Sequence, residues 1–147
     1  VRDVRSYIFD LQPKVVRGRS LREAISELAK DLEVNTLADV KVDVSEDALG
    51  LDERQRSNLV QMVREVLSNI ARHAQANEVS IACSTTDGYL EIEVIDDGVG
   101  FDPGAITRGH GLRNIEERAH RLGGRFDISP RRPRGTIHRI SIPVVQG

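Results

Sequence analysis

From Asp52 to about Gln75 the chain carries its longest unbroken helical repeat, with Leu59, Met62, Val63, Val66, Leu67, Ile70 and Ala74 on one side. A helix of that length with a single apolar stripe must lay the stripe against another layer. The following residues supply one. Glu78 to Ser84 and Tyr89 to Ile95 alternate apolar and polar residues, and Thr86-Asp87-Gly88 between them carries the Asp-Gly hairpin signal.

The other elements fall around this pair. Ser20 is placed to cap a helix whose Leu21, Ile25, Leu28 and Leu32 form one stripe, and Val40, Val42 and Val44 alternate as in a half-buried strand. After a Gly- and Pro-bearing loop from Asp96 to about Gly109, a helix is expected from about Gly111 to Leu122, stopped by Gly123-Gly124. Two strands, near Arg125 to Ser129 and Thr136 to Val144, close the chain on either side of the basic turn PRRPRG. Helices and antiparallel hairpins in this order predict an α+β fold, a two-layer sandwich whose mixed, mostly antiparallel sheet has helices on one face and solvent on the other.

Upstream, Val1, Val4, Ile8 and Leu11 lie at helical spacing and the pattern closes at Pro13, while residues 14–19 form a basic connector. The expected division is a preceding helix over 1–13, the connector, and one domain over 20–147. The abrupt helical start at Val1 suggests a piece of a larger protein. With 21 basic against 23 acidic residues the net charge is −2, which excludes a global basic field for nucleic acid or an anionic membrane. The single cysteine, Cys83, excludes an internal disulfide and falls on the apolar side of its alternating run. No apolar stretch nears the ~20 residues that span a bilayer, and no signal-peptide layout opens the chain, so a cytoplasmic setting is expected.

Glu65, Asn69, Arg72 and His73 stand at i, i+4, i+7 and i+8 of the long helix, so a carboxylate, an amide, a guanidinium and an imidazole share the face opposite the apolar stripe. Taken alone, any solvated helix face meets that description. A second element follows at residues 92–104, IEVIDDGVGFDPG, where a mostly apolar strand runs into two aspartates and two close glycines that let backbone approach a ligand. A dinucleotide-binding loop does not fit there, because the position needing the third glycine is Pro103 and no helix opens at it. The third is Gly109-His110-Gly111-Leu112 at a helix start, where free N–H groups and the positive end of the helix dipole favour phosphate. The fourth is Gly135-Thr136 at the head of the last strand. Each is weak by itself; the four in order are not.

At these residues, and over nearly all of 20–144, the sequence resembles the GHKL (gyrase, Hsp90, histidine kinase, MutL) superfamily of ATPases and kinases, which has the Bergerat type of α/β sandwich. Glu65-x-x-x-Asn69-x-x-Arg72-His73-Ala74 looks like its N box, Asp96-x-Gly98-x-Gly100 its first glycine box, Gly109-x-Gly111-Leu112 its second and Gly135-Thr136 its last. Within it, RHAQANEVSI, DDGVGFDP and GHGLRNIEERAHRLGG are similar to NarL-type sensor histidine kinases of bacterial two-component systems, and RSYIFDLQP resembles the end of their second dimerisation helix.

The resemblance implies an ATP-binding catalytic domain that positions Mg-ATP for γ-phosphoryl transfer to a histidine on a dimerisation domain. It implies that Asn69 gives its side-chain oxygen to Mg2+, that Arg72 and His73 lie near phosphate oxygens, and that Asp96 accepts from the adenine amino group with support from Thr136. Gly98 and Gly100 would let the chain turn beside the purine, Gly109, Gly111 and Leu112 would close over the phosphates, and Glu65 would have a positioning role near Mg2+. Asp97, next to Asp96, should point the other way.

In this family an acidic residue directly follows the phospho-accepting histidine. The four histidines here are followed by Ala74, Gly111, Arg121 and Arg139, so the acceptor is expected elsewhere. His120 and His138 read as surface or packing residues. Only residues 101–108 separate Gly100 from Gly109, a short lid for such kinases. The implied partners are a NarL-type response regulator and a second copy of the full-length protein, with a monomer for these residues alone and a membrane anchor compatible upstream. Two other readings share the boxes. An anti-sigma-factor serine kinase would have no need of a helix at 1–13, and an inactive nucleotide-binding interaction module would have no need of both Asn69 and Asp96.

Overall fold

The structure, a computed structural model, describes residues 20–44, 51–73, 75–100 and 110–144. The expected helix at 1–13, the connector at 14–19, Ala74, the loop at 101–108 and Gly109 lie outside the described residues.

α1, Leu21–Thr36, opens where expected. The Ser20 hydroxyl accepts from Glu23 N–H at 3.1 Å while the Glu23 carboxylate accepts from Ser20 N–H at 2.9 Å, a reciprocal cap. It ends at Leu37, which turns left-handed (φ 64°) and donates its N–H to the Glu33 carbonyl at 2.9 Å. α2, Glu53–His73, is capped the same way by Asp52, whose carboxylate accepts from Gln55 N–H at 2.7 Å. Its Leu59, Met62, Val63, Val66, Leu67 and Ile70 are buried, as the stripe requires. α3, His110–Arg121, starts one residue before the expected Gly111, and Gly123 (φ 77°) and Gly124 end it by donating to the carbonyls of His120 and Ala119.

Five strands form one sheet in the order β1-β2-β3-β5-β4: β1 Asp39–Val44, β2 Glu78–Thr86, β3 Tyr89–Asp96, β4 Arg125–Pro130 and β5 Thr136–Pro143. β1 runs parallel to β2, with α2 as the crossover between them, and the remaining pairs are antiparallel. Asp87 (φ 52°) and Gly88 (φ 81°) take the two positive-φ positions of a tight hairpin turn between β2 and β3. On one face Leu90, Ile92 and Val94 of β3 and Ile140 and Ile142 of β5 are buried in a common core with the three helices. On the other, Arg139 bonds Glu93 at 2.6 Å and lies 3.9 Å from Glu91. Cys83 is buried as a small apolar residue, and burial pushes its thiol up to about 12.

Candidate functional site

Chain connectivity and strand pairing bring the end of α2, Asp96 and Thr136 to one end of the sandwich. Residues 74–77 alone separate the end of α2 from β2, and Val79 near the start of β2 pairs with Asp96 at the end of β3. Asp96 pairs on its other side with Thr136, the first residue of β5. α3 is antiparallel to α2: Arg118, near the end of α3, donates to the Asn58 side-chain oxygen at 2.8 Å near the start of α2. The first turn of α3, with Gly111, therefore lies towards the end of α2 that bears Asn69. Gln55 bonds the Pro143 carbonyl at 3.2 Å and pins the start of α2 to the far end of β5.

Asp96 is 1% exposed. Its Oδ1 accepts from Gly98 N–H at 2.9 Å, whereas Oδ2 is buried with no hydrogen-bond partner among the described residues. A buried acceptor left in that state costs about 1–3 kcal/mol, more when charged, and asks for a donor from outside. Burial pushes the Asp96 carboxyl above the ordinary carboxylate value, and Asp97 adds to the rise; Gly98 N–H, His138 and Arg131 oppose it. Thr136, also buried, stands directly opposite Asp96 on the same face of the sheet.

Asp97 is turned to the start of β2. Its Oδ1 accepts from the N–H groups of Asn77 at 2.8 Å and Glu78 at 2.9 Å, ties the head of β2 to the tail of β3, and holds its carboxyl below the usual value. Gly100 (φ 76°) takes the left-handed turn its position requires. Gly135 (φ 115°) lies so close that a Cβ there would overlap the Asp96 carbonyl oxygen, so glycine is obligatory beside Asp96.

On α2, Arg72 donates to the Asn69 side-chain oxygen at 3.0 Å and its guanidinium lies 3.9 Å from the Glu65 carboxylate. The three polar residues thus form a cluster on one face of the helix, with His73 exposed beyond them. An amide oxygen has two lone pairs, so Asn69 retains one for a second donor or a cation. Leu112 is 8% exposed and belongs to the core, where it anchors the first turn of α3. Gly98 is buried behind Asp96, and Gly109 lies outside the described residues.

His138 takes the packing setting of the two that the sequence allowed. It is 1% exposed, its Nδ1 lies 3.1 Å from the Val94 carbonyl oxygen, and burial lowers its pKa while the Val94 contact and Asp96 work against that. The signal was present in the alternation of β5, where Thr136, His138, Ile140 and Ile142 share one face.

Residues 54–146 match the family described as histidine kinase-, DNA gyrase B-, and HSP90-like ATPase. The chain belongs to this family. Among curated relatives of this ATPase domain, the sensor histidine kinase LiaS of Bacillus subtilis is 27% identical over 97% of the chain. The nitrate/nitrite sensor protein NarQ of Escherichia coli is 33% identical over 86% of it, and the histidine-protein kinase/phosphatase UhpB of Salmonella typhimurium 33% over 95%. The chain spans 39%, 23% and 28% of those three proteins. Among solved structures, the histidine kinase domain of the Erythrobacter litoralis EL346 blue-light activated kinase superposes with a TM-score of 0.71 at 25% identity, covering 84% of this chain and 65% of that one. This domain is therefore the ATP-binding catalytic module of the sensor histidine kinase type, and neither the serine-kinase nor the inactive-module alternative is favoured.

Proposed function

We propose that this domain holds Mg-ATP between Asp96 and the polar face of α2 and positions the γ-phosphoryl for transfer to a histidine on a dimerisation domain. The buried, partnerless Oδ2 of Asp96 carries the reading. It is an acceptor at the floor of a site in an ATPase-family fold, and the exocyclic amine of adenine is the donor that satisfies it; guanine presents a carbonyl at that position. Thr136 supports this contact, while Gly98, Gly100 and Gly135 let backbone close around the base.

The donor set also fits Mg2+. Among the described residues no group of three or more His, Cys, Asp or Glu could cage a metal. A cation here would take few protein ligands and keep its waters and phosphate oxygens, as Mg2+ does. Asn69 would hold it through the amide oxygen that Arg72 now contacts, Glu65 would orient its waters, and Arg72 and His73 would neutralise phosphate charge with Gly109 and Gly111 at the head of α3. Bound there, Mg2+ would supply charge neutralisation of the phosphates. Phosphoryl transfer demands alignment and charge compensation more than covalent chemistry from the protein.

In the longer protein, residues 1–13 would end the second helix of the dimerisation domain, a second copy would complete the homodimer, and a NarL-type response regulator in the cytoplasm would receive the phosphoryl group. None of the described helices is long and apolar enough to cross a membrane. Incubation of the full-length protein with γ-labelled ATP should place label in acid-labile phosphohistidine; acid-stable phosphoserine on another protein would overturn the proposal. Asn69→Ala should remove the Mg2+-dependent part of ATP affinity, and an equal loss with and without Mg2+ would refute the metal role.

A further inference from the structure

The arginines of the basic turn between β4 and β5 have no part in the function described so far, yet Arg134 reaches the backbone next to Asp96. Arg134 directs Nε–H at two carbonyl oxygens, those of Asp97 and Gly98, each at 3.1 Å. The turn holds itself in shape for this: Arg131 N–H donates to the Gly135 carbonyl at 3.0 Å, and the Arg131 guanidinium donates to the Arg134 carbonyl at 2.9 Å. The Asp97 carbonyl and the Gly98 N–H are two ends of one peptide group. That N–H is the donor to Asp96 Oδ1 at 2.9 Å. A cationic donor at the oxygen end of a peptide draws electron density towards it and strengthens the N–H at the other end as a donor.

We propose that Arg134 is a positioning residue of the nucleotide site: its guanidinium clasps the Asp97–Gly98 peptide and, through Gly98 N–H, fixes the Asp96 carboxylate with Oδ2 turned to the base. The inference rests on the reading of Asp96 as the adenine acceptor. Arginine suits the task because Nε–H projects from a rigid plane, whereas a lysine ammonium on its flexible stem is a mobile point charge.

The test uses the 147-residue chain, labelled with 15N, as wild type, Arg134→Ala and Arg134→Lys. Without nucleotide, the Gly98 amide proton should move upfield in Arg134→Ala as its bond to Asp96 weakens. ADP affinity by calorimetry should fall about tenfold, the effect of losing ~1.4 kcal/mol, and Arg134→Lys should recover only part of both signals. An unmoved Gly98 amide overturns the clasp, whatever happens to affinity, because Arg134 would then act only as a distant charge on the phosphates. Unchanged ADP affinity beside a moved amide overturns the positioning role. Should Arg134→Ala fail to fold, Arg134→Lys carries the same two readouts. Failure of the wild type to bind ADP would strike the adenine reading instead, since the amide shift is measured with no nucleotide present.

Discussion

Replacing Asp96 by asparagine separates a ligand role from a structural one, because the two give opposite signs. Gly98 N–H already occupies Oδ1, so the asparagine must leave its oxygen there and turn its NH2 to the place of Oδ2. That NH2 would face the adenine amino group, donor against donor. The loss combines a charge-assisted bond, about 1.5–3 kcal/mol, with a stranded donor, about 1–3 kcal/mol. Together, about 2.5–6 kcal/mol weakens ADP binding from roughly sixty-fold to about twenty-thousand-fold. GDP should suffer less, since guanine offers an oxygen to the new donor. The free protein should respond the other way. Burial raises the Asp96 pKa, so the folded state binds this proton more tightly than the unfolded chain does. The contribution of Asp96 to folding is then favourable below the ordinary value of 3.8 and is lost as pH rises through the raised value. At neutral pH Asp96→Asn removes that burden, so the thermal midpoint should hold or rise by a few degrees, at about 2–4 °C per kcal/mol. Wild-type ADP affinity should also decline on acidification through the raised pKa, while the variant shows no such limb. Calorimetry with ADP and GDP across pH, beside thermal melts without ligand, measures all of this. ADP affinity within threefold of wild type would refute the adenine contact, and a collapsed midpoint would make Asp96 a structural residue.

Asp97→Ala should release the N–H groups of Asn77 and Glu78 to water, cost about 1–2 kcal/mol and lower the midpoint by several degrees. Because those bonds depress the Asp97 pKa, the stabilisation is present above 3.8 and lost as pH falls through the folded value; melts of wild type and variant should converge in acid, and a constant gap would refute the assignment. Gly135→Ala forces a Cβ onto the Asp96 carbonyl and should abolish ADP binding. Gly123→Ala, whose Cβ meets only Pro143 at 3.5 Å, should cost about 1 kcal/mol for its positive φ and leave binding intact; equal effects of the two in a titration would show that Gly135 has no special bearing on the base site.

The parts of the fold that were legible in sequence are those set by local rules. Ser20 and Asp52 cap where their side chains predict, Asp87-Gly88 turns the hairpin, and the periodicity of α2 selects its buried side. Asp97 could be turned away from Asp96 by strand alternation alone. What local rules could not supply were contacts closed by tertiary geometry. Arg134 reaches Asp97 and Gly98 only because β5 pairs with β3. The Arg118 to Asn58 bond, which orients α3 against α2, joins residues with no sequence relation. For His138 the sequence left surface and packing both open, and its position in the alternation of β5 decides for packing.

The antiparallel packing of α2 against α3 sets the field that a ligand meets. A helix ends in outward-facing carbonyl groups worth roughly half a negative charge, and begins in outward-facing N–H groups worth roughly half a positive one. Under the proposed function the tail of α2 and the head of α3 open on the same site, which is then electrically two-sided before any ionised side chain is counted. A ligand that carries a metal cation and polyphosphate together can set each part against its own pole. Inorganic phosphate alone, or a divalent cation alone, can match only one. Under that proposal, selection for the complete metal–nucleotide complex would follow from the direction in which two helices run.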